Sequence, residues 1–67
     1  MLLEKLTLKQ ARVLANLTQE ESAKKLGVSP NTLSNWERGK TFPRMNQIEM
    51  ISKIYDVPQK NICFNKE

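Results

Sequence analysis

The stretch GVSP, in which a helix stop is followed almost at once by a helix start, constrains this sequence most. Gly27 favours the left-handed conformation that ends helices. Ser29 suits the N-cap of the next helix, and Pro30 suits its first position, where a missing N–H costs nothing. The pattern predicts helices over residues 19–26 and 30–38. They must cross at a steep angle, because so short a turn leaves the chain no other path.

Similar signals bound the rest of the chain. Thr18 begins TQEE and predicts a capping box with Glu21 before the second helix. Asn16 and Asp56, both tolerant of the left-handed conformation, are expected to end the first and fourth helices. Apolar residues at helical spacing predict the first helix over residues 7–15, the fourth over residues 45–55 and a fifth over residues 58–62.

The apolar spacing also predicts which side chains face inward. The first helix places Leu8, Ala11 and Ala15 on one face with Leu14 beside them, and the fourth carries Met45, Ile48, Ile51, Ile54 and Tyr55. No strand is expected, because only helical periods occur. A length of 67 residues allows one domain, so residues 1–67 are predicted to form a compact, all-α, five-helix bundle with a fraying tail, FNKE.

Charge and composition narrow the classes of partner. Eleven Lys and Arg against seven Asp and Glu give a net charge of +4. This favours an anionic partner such as nucleic acid, although a merely soluble basic protein is the alternative. One cysteine and no histidine exclude a disulfide framework within one chain and zinc-ligand spacing, so no metal or cofactor is expected. No apolar run approaches ~20 residues, and MLLEKL is too short for a signal peptide, so the cytoplasm is the expected location.

The inner face of the third helix carries a charge. Leu33 and Trp36 lie three apart, and Glu37 shares their side. A buried carboxylate is costly unless it is paired, and Arg12 lies on the inward face of the first helix. We therefore predict a partly buried Arg12–Glu37 ion pair between the first and third helices. The alternative is that both side chains extend to water.

The outer face of the third helix is amide-rich. Asn31, Ser34, Asn35 and Arg38 follow the spacing i, i+3, i+4, i+7 and form one stripe. Asn can make two hydrogen bonds to adenine in the DNA major groove, and Arg can do so to guanine. Thr32 can offer its methyl group to thymine or its hydroxyl to a phosphate. Taken alone, a polar stripe more often indicates an ordinary solvated helix face, so the groups around it decide the interpretation.

Candidate phosphate-binding groups surround this stripe. Gln19 opens the second helix, whose N-terminus should lie near that of the third, and both ends present free amides. Lys40 and Arg44 follow the third helix and could reach a DNA backbone. Phosphate contacts fix register while base contacts select sequence. Simple loop solubility is the alternative for Lys40 and Arg44.

Residues 8–64 resemble the Cro/CI-type, or XRE, family of phage and bacterial helix-turn-helix repressors. The likeness lies in LKQAR, LTQEESAKKLGVS, NTLSNWERGK with a following proline, and IEMISKIYDVPQKNI. It implies a lambda-repressor-like five-helix domain that binds double-stranded operator DNA, usually as a homodimer, in association with the nucleoid.

The resemblance also implies roles for individual residues. Gln19 corresponds to a phosphate contact that supports the base readers. Ser29 and Pro30 lie at the helix edge nearest the DNA. Asn31, Thr32 and Asn35 hold positions at which family members read bases. Lys40 and Arg44 match positions that approach the DNA backbone or the minor groove. Arg12 and Glu37 match the inward salt bridge of the family.

The chain departs from the family pattern at several positions. Ser22 replaces a usual leucine, which implies a thin core there. Pro30 replaces what is often a long polar base reader, so one base contact is lost or apolar. Arg44 takes the usual helix-capping position before the fourth helix. Asn16 and Asp56 hold positions where glycine is usual, and both tolerate the same conformation.

The predicted function is a sequence-specific DNA-binding regulator, a repressor, that reads the major groove with its third helix. A protein-interaction module, such as an antitoxin or docking domain, is the main alternative. An enzyme is disfavoured, because no nucleophile with a positioned base can be named. The candidate dimer contact is the segment 57–64, which could equally close the monomer core. The chain is either a stand-alone regulator or part of a longer repressor.

Overall fold

Short capped helices make up most of residues 5–64, the part of the chain that the computed structural model describes. The elements run in the order β1 (Leu6–Thr7), α1 (Leu8–Leu14), α2 (Gln19–Leu26), α3 (Pro30–Glu37), α4 (Met45–Tyr55), a 3-10 turn (Gln59–Asn61) and β2 (Ile62–Cys63). None of the helices in this part of the chain is long and apolar enough to cross a membrane. The tail residues 65–67 and residues 1–4 of MLLEKL lie outside the described range.

The predicted fifth helix is wrong, because residues 5–64 contain four α-helices. Only Gln59–Asn61 turn, as a 3-10 helix, and Ile62 is extended. The prediction of no strand is also wrong. β1 and β2 pair in parallel, with Leu6 opposite Ile62 and Thr7 opposite Cys63. Two-residue strands have no readable period, and their pairing joins distant parts of the chain, so the sequence pattern could not reveal them.

Side-chain caps begin the first three helices. Thr18 Oγ1 accepts a hydrogen bond from the Glu21 amide at 3.0 Å, and Glu21 Oε1 accepts one from the Thr18 amide at 2.9 Å. The predicted capping box is therefore confirmed. Thr7 and Gln10 form a second one, so α1 begins one residue later than predicted, with Thr7 as its cap.

Left-handed residues end all four α-helices of the described range. They are Asn16, Gly27, Gly39 and Asp56, with φ between 57° and 76°. In each case the next amide bonds back to a carbonyl five residues earlier: Leu17 to Arg12, Val28 to Ala23, Lys40 to Asn35, and Val57 to Ser52. These bonds satisfy carbonyls that have no partner within the helix. The expected roles of Asn16 and Asp56 are confirmed.

The core lies between α1, α2, α3 and α4 and is closed by β2. Its buried members are Leu8, Ala11, Ala23, Leu26, Leu33, Trp36, Ile51, Tyr55 and Ile62. Leu14 and Met45, which the sequence groups with apolar faces, are 70% and 66% exposed. Each lies at an end of its helix, where the next element does not cover that face. Phe64 packs against the core, so fraying does not begin there.

A buried hydroxyl pair fills the position where the sequence suggested a thin core. Ser22 is fully buried, and its hydroxyl shares a hydrogen bond with the Tyr55 hydroxyl from α4. The serine at position 22 is thus accommodated by a polar partner from α4. Burial raises the pKa of Tyr55 above its ordinary value of 10.0. The Ser22 hydrogen bond opposes this rise, and the charge of Glu37 adds to it.

Candidate nucleic-acid interface

Helix α3 has one buried face and one accessible face. Leu33 and Trp36 are buried against the other helices. Ser29 fixes the start of α3, since its Oγ accepts a hydrogen bond from the Thr32 amide at 3.1 Å. Pro30 occupies the first helical position and is exposed. The buried pair and the cap together fix how α3 is rotated about its axis.

An ion pair links α1 to the end of α3. Arg12 Nε lies 2.7 Å from Glu37 Oε2, and the two side chains are only 10% and 4% exposed. Arg12 Nη2 donates to Glu37 Oε1 at 3.4 Å, and Arg12 Nη1 donates to the Leu17 carbonyl at 2.9 Å. The pair expected from the sequence is thus present. The bond from Arg12 Nη1 to the Leu17 carbonyl also anchors the segment between α1 and α2.

Gln19 joins the same buried network. Its Nε2 donates to Glu37 Oε1 at 3.0 Å, which links the start of α2 to the end of α3. Sequence reasoning assigned Gln19 a phosphate contact and missed this bond, because it placed the start of α2 near the start of α3 and not near its end. An amide group has two N–H donors, so one can bond Glu37 while the other remains available to a ligand.

The outward stripe of α3 is accessible along its length. Asn31 and Arg38 are exposed, and Thr32, Ser34 and Asn35 are half-buried. Asn31 and Asn35 are one turn apart and lie on the same side of the helix. The Thr32 hydroxyl accepts a hydrogen bond from Ser29 Oγ at 3.0 Å, which holds both side chains at the start of α3.

Unpaired backbone donors differ between the two helix starts. Glu21 and Thr32 amides are used by the caps. In α2 the amides of Gln19 and Glu20 have no acceptor within the helix, whereas in α3 Pro30 has no N–H at all. The start of α2 therefore offers more backbone donors to an anion than the start of α3.

Cations follow α3 in a fixed loop. Lys40 and Arg44 are both exposed. The Lys40 amide donates to the Asn35 carbonyl at 2.9 Å, and the Arg44 amide donates to Gln47 Oε1 at 2.7 Å. Arg44 occupies the N-cap of α4 without a side-chain cap bond. Both charged side chains thus project from a loop whose backbone is hydrogen-bonded at each end.

Within residues 5–64, no three or more His, Cys, Asp or Glu side chains are grouped so that they could hold a metal ion. Cys63 is a half-buried free thiol in β2. The outward stripe presents neutral amides and hydroxyls, and the charged residues Arg38 and Lys40 lie beside them.

Comparison with known proteins identifies close relatives. The family model described as helix-turn-helix matches residues 8–58. The HTH-type transcriptional activator BcrR of Enterococcus faecalis is 46% identical over 60 residues, which are 90% of this chain and 29% of BcrR. The HTH-type transcriptional regulator MJ0272 of Methanocaldococcus jannaschii is 46% identical over 55 residues, 82% of this chain and 83% of MJ0272.

A phage protein is also similar. The cryptic phage CTXphi transcriptional repressor RstR of Vibrio cholerae is 33% identical over 60 residues, 90% of this chain and 54% of RstR. The chain therefore spans less than a third of BcrR and about half of RstR, but most of MJ0272. No solved structure gives a significant match. The family match, which spans α1 to α4, and these relatives show that the chain belongs to the Cro/CI-type (XRE) family of helix-turn-helix transcriptional regulators.

Proposed function

We propose that this protein is a sequence-specific, double-stranded DNA-binding repressor that reads the major groove with α3. The observation that supports this most is the accessible amide stripe on a helix whose other face is fixed by Trp36 and Glu37. A helix with its side chains is about 10–12 Å in diameter, which fits the ~12 Å width of the major groove. Fixed rotation matters because a base reader must present its amide at one angle.

In this proposal the stripe supplies the base contacts. Asn31 and Asn35 each bond an adenine edge, and Thr32 offers its methyl group to thymine. Ser34 lies between them on the same face and can donate or accept. Pro30, exposed at the first position, gives an apolar contact in place of a polar one.

Five further residues bind the DNA backbone and set the register. Gln19 uses its second amide hydrogen, together with the free backbone amides at the start of α2. Ser29 lies at the start of α3 and Arg38 at its end. Lys40 and Arg44 reach phosphates past the helix, on the other side of the groove.

A homodimer would place two α3 helices in successive major grooves, ~34 Å apart, on a palindromic operator. Ile62, part of the candidate dimer contact, is buried in the core of its own monomer, so the dimer surface must lie elsewhere on that segment or on another element. Repression requires only that the bound protein excludes another protein from the operator. The name of RstR supports a repressor, whereas that of BcrR shows that similar domains also occur in activators.

Selection of bound duplexes from a random pool tests this proposal. We expect enrichment of one short motif, repeated as a palindrome with a centre-to-centre spacing of about one helical turn. A pool that stays unenriched while the protein remains folded would contradict DNA reading and would favour a protein partner for α3. Enrichment of a single half-site without a palindrome would contradict only the dimer. In this proposal the protein binds its operator at the nucleoid, in the cytoplasm.

A further inference from the structure

Two exposed apolar side chains alternate with the cations that follow α3. Phe42 is 56% exposed, and Met45 at the first position of α4 is still more exposed. Lys40 and Arg44 are exposed beside them. We refer to Lys40, Phe42, Arg44 and Met45 as the basic–apolar loop. Neither of its apolar members belongs to the hydrophobic core, so packing within the monomer does not account for them.

The backbone of the basic–apolar loop is held in place. The Asn35 carbonyl accepts hydrogen bonds from the amides of Lys40 at 2.9 Å and Thr41 at 3.4 Å. Pro43 is buried, which anchors the middle of the loop and fixes its φ angle. The Arg44 amide is bonded to the Gln47 side chain. Phe42 therefore projects from a fixed point rather than from a slack segment.

The hydrogen bonds of Asn35 place the loop relative to the proposed base readers. In the proposed docking the N-terminal residues of α3 contact the base edges, so the chain beyond Gly39, past the C-terminal end of α3, leaves the groove at the sugar-phosphate backbone. The next feature of a duplex past that backbone is the adjacent minor groove. The basic–apolar loop thus has the right position to contact DNA outside the segment that α3 reads.

Charge decides which partner fits this surface. A second copy of the same loop would bring Lys40 and Arg44 against their own equivalents, and like charges oppose such a contact. A DNA duplex instead carries one negative charge per ~1.7 Å of its axis. Phe and Met are among the apolar side chains that proteins insert at minor-groove base steps. These observations favour DNA over a second protein chain.

We propose that the basic–apolar loop is a second DNA contact. Phe42 and Met45 pack into the minor groove beside the segment read by α3, while Lys40 and Arg44 bind the phosphates on either side. This inference rests on the proposed function. Pyrimidine–purine steps such as TA unstack readily, so the loop prefers them in the flank. Operator choice then depends on base pairs that no side chain of α3 touches.

Binding of Phe42→Ala to two duplexes tests the inference. Both carry the core motif found by selection, one with TA steps in the flank and the other with a stiff G·C-rich flank. We expect the wild type to prefer the TA flank by about tenfold and Phe42→Ala to lose that preference. Asn35→Ala should keep the flank preference while losing discrimination of the core. Met50→Ala, an exposed apolar change elsewhere on α4, is the matched control and should behave as wild type.

The outcomes separate the inference from the proposed function. If the wild type distinguishes a correct core from a scrambled one but Phe42→Ala leaves the flank preference intact, the loop contact is wrong and the proposed function stands. Equal losses on both flanks would also overturn it. If the wild type does not distinguish the cores, both proposals fail. Thermal unfolding of each variant verifies that lost binding is not lost folding, and Met45→Ala provides a second test on the same duplexes.

Discussion

Side chains on the two faces of α3 lie in different environments, and this contrast defines the candidate site at the scale of the residue. Glu37 is almost fully enclosed and accepts bonds from Arg12 and Gln19, while Asn31 is open to solvent. A carboxylate is tolerated inside because its charge is paired, and an amide is useful outside because it can bond a base without a net charge. Small changes on the two faces should therefore have different effects.

Removing an outward amide should affect recognition and not folding. We expect Asn31→Ala and Asn35→Ala each to weaken binding to the selected duplex by roughly 1–3 kcal/mol, because each loses a bidentate contact. Binding to random duplexes should hardly change. Titration of labelled duplexes at one salt concentration measures both. Asn46→Ala, at an exposed asparagine of α4, is the control. Equal losses on selected and random DNA would contradict base reading by these residues.

The buried Tyr55 hydroxyl gives a pH dependence that can be isolated. Because burial raises its pKa above 10.0, the folded state favours the neutral phenol. Its contribution to stability is full below the unfolded pKa and is lost as pH rises through the folded pKa. Above about pH 10, the unfolding free energy of the wild type should fall by up to ~1.4 kcal/mol per pH unit more than that of Tyr55→Phe.

Urea unfolding of both proteins from about pH 8 to about pH 11 provides this measurement. Contributions that are common to both proteins cancel in the difference between them. At neutral pH, Tyr55→Phe should lose about 1–3 kcal/mol, because the buried Ser22 hydroxyl is left without its partner. A difference between the two proteins that is constant with pH would mean that Tyr55 ionises equally in both states.

At the scale of the element, each helix is bounded locally but oriented by a few long-range contacts. Hydrogen bonds between residues three to five positions apart, at the caps and at the left-handed residues, define where α1 to α4 begin and end. Their mutual orientation depends instead on the Arg12–Glu37–Gln19 network and on the Ser22–Tyr55 pair. These contacts join residues between 18 and 33 positions apart.

Breaking the ion pair from one side should be costly, whereas replacing both partners should not. We expect Glu37→Leu to lower the unfolding free energy by about 3–5 kcal/mol, because it leaves the Arg12 guanidinium buried without its partner. Arg12→Met combined with Glu37→Leu should regain most of this loss. Urea unfolding of the wild type, both single variants and the double variant gives the coupling energy. A double variant as unstable as the worse single variant would contradict this account.

At the scale of the whole molecule, the ends of the described range are brought together. β1 precedes α1, β2 follows α4, and their pairing places Leu6 beside Ile62, which closes the core beneath α1. The chain as a whole carries a net charge of +4. The strand pairing fixes the bundle that supports α3. The net positive charge attracts an anionic partner at long range, before any contact forms.

Salt dependence tests the overall charge argument. If each half of a dimer makes three or four phosphate contacts, the logarithm of the binding constant should fall with the logarithm of salt concentration at a slope of about −6. Lys40→Ala should weaken selected and random duplexes alike and reduce the slope by about 1 per contact. Lys53→Ala, an exposed lysine on α4, is the control. A slope near zero would contradict a backbone-binding role for these cations.

Much of this protein could be predicted from local signals, and the misses share one cause. The capping box at Thr18, the stops at Gly27 and Asp56, and the inward positions of Leu33 and Trp36 depend on neighbours within a turn or two. The fifth helix was wrong because Ile62 extends to pair with Leu6, a residue far away in sequence. Exposure of Leu14 and Met45 was missed because it depends on which element covers a helix end.

Some features of the candidate site likewise follow from local sequence, and others follow only from tertiary packing. The sequence by itself determined the length and ends of α3, its two faces and the identity of the amides on the outer one, because these follow from helical period and capping chemistry. Only the tertiary structure decided that Gln19 bonds to Glu37, that the Tyr55 hydroxyl bonds to Ser22, and that Phe42 stays exposed next to two cations. Contacts between distant residues depend on the full packing of the bundle, which no local pattern encodes.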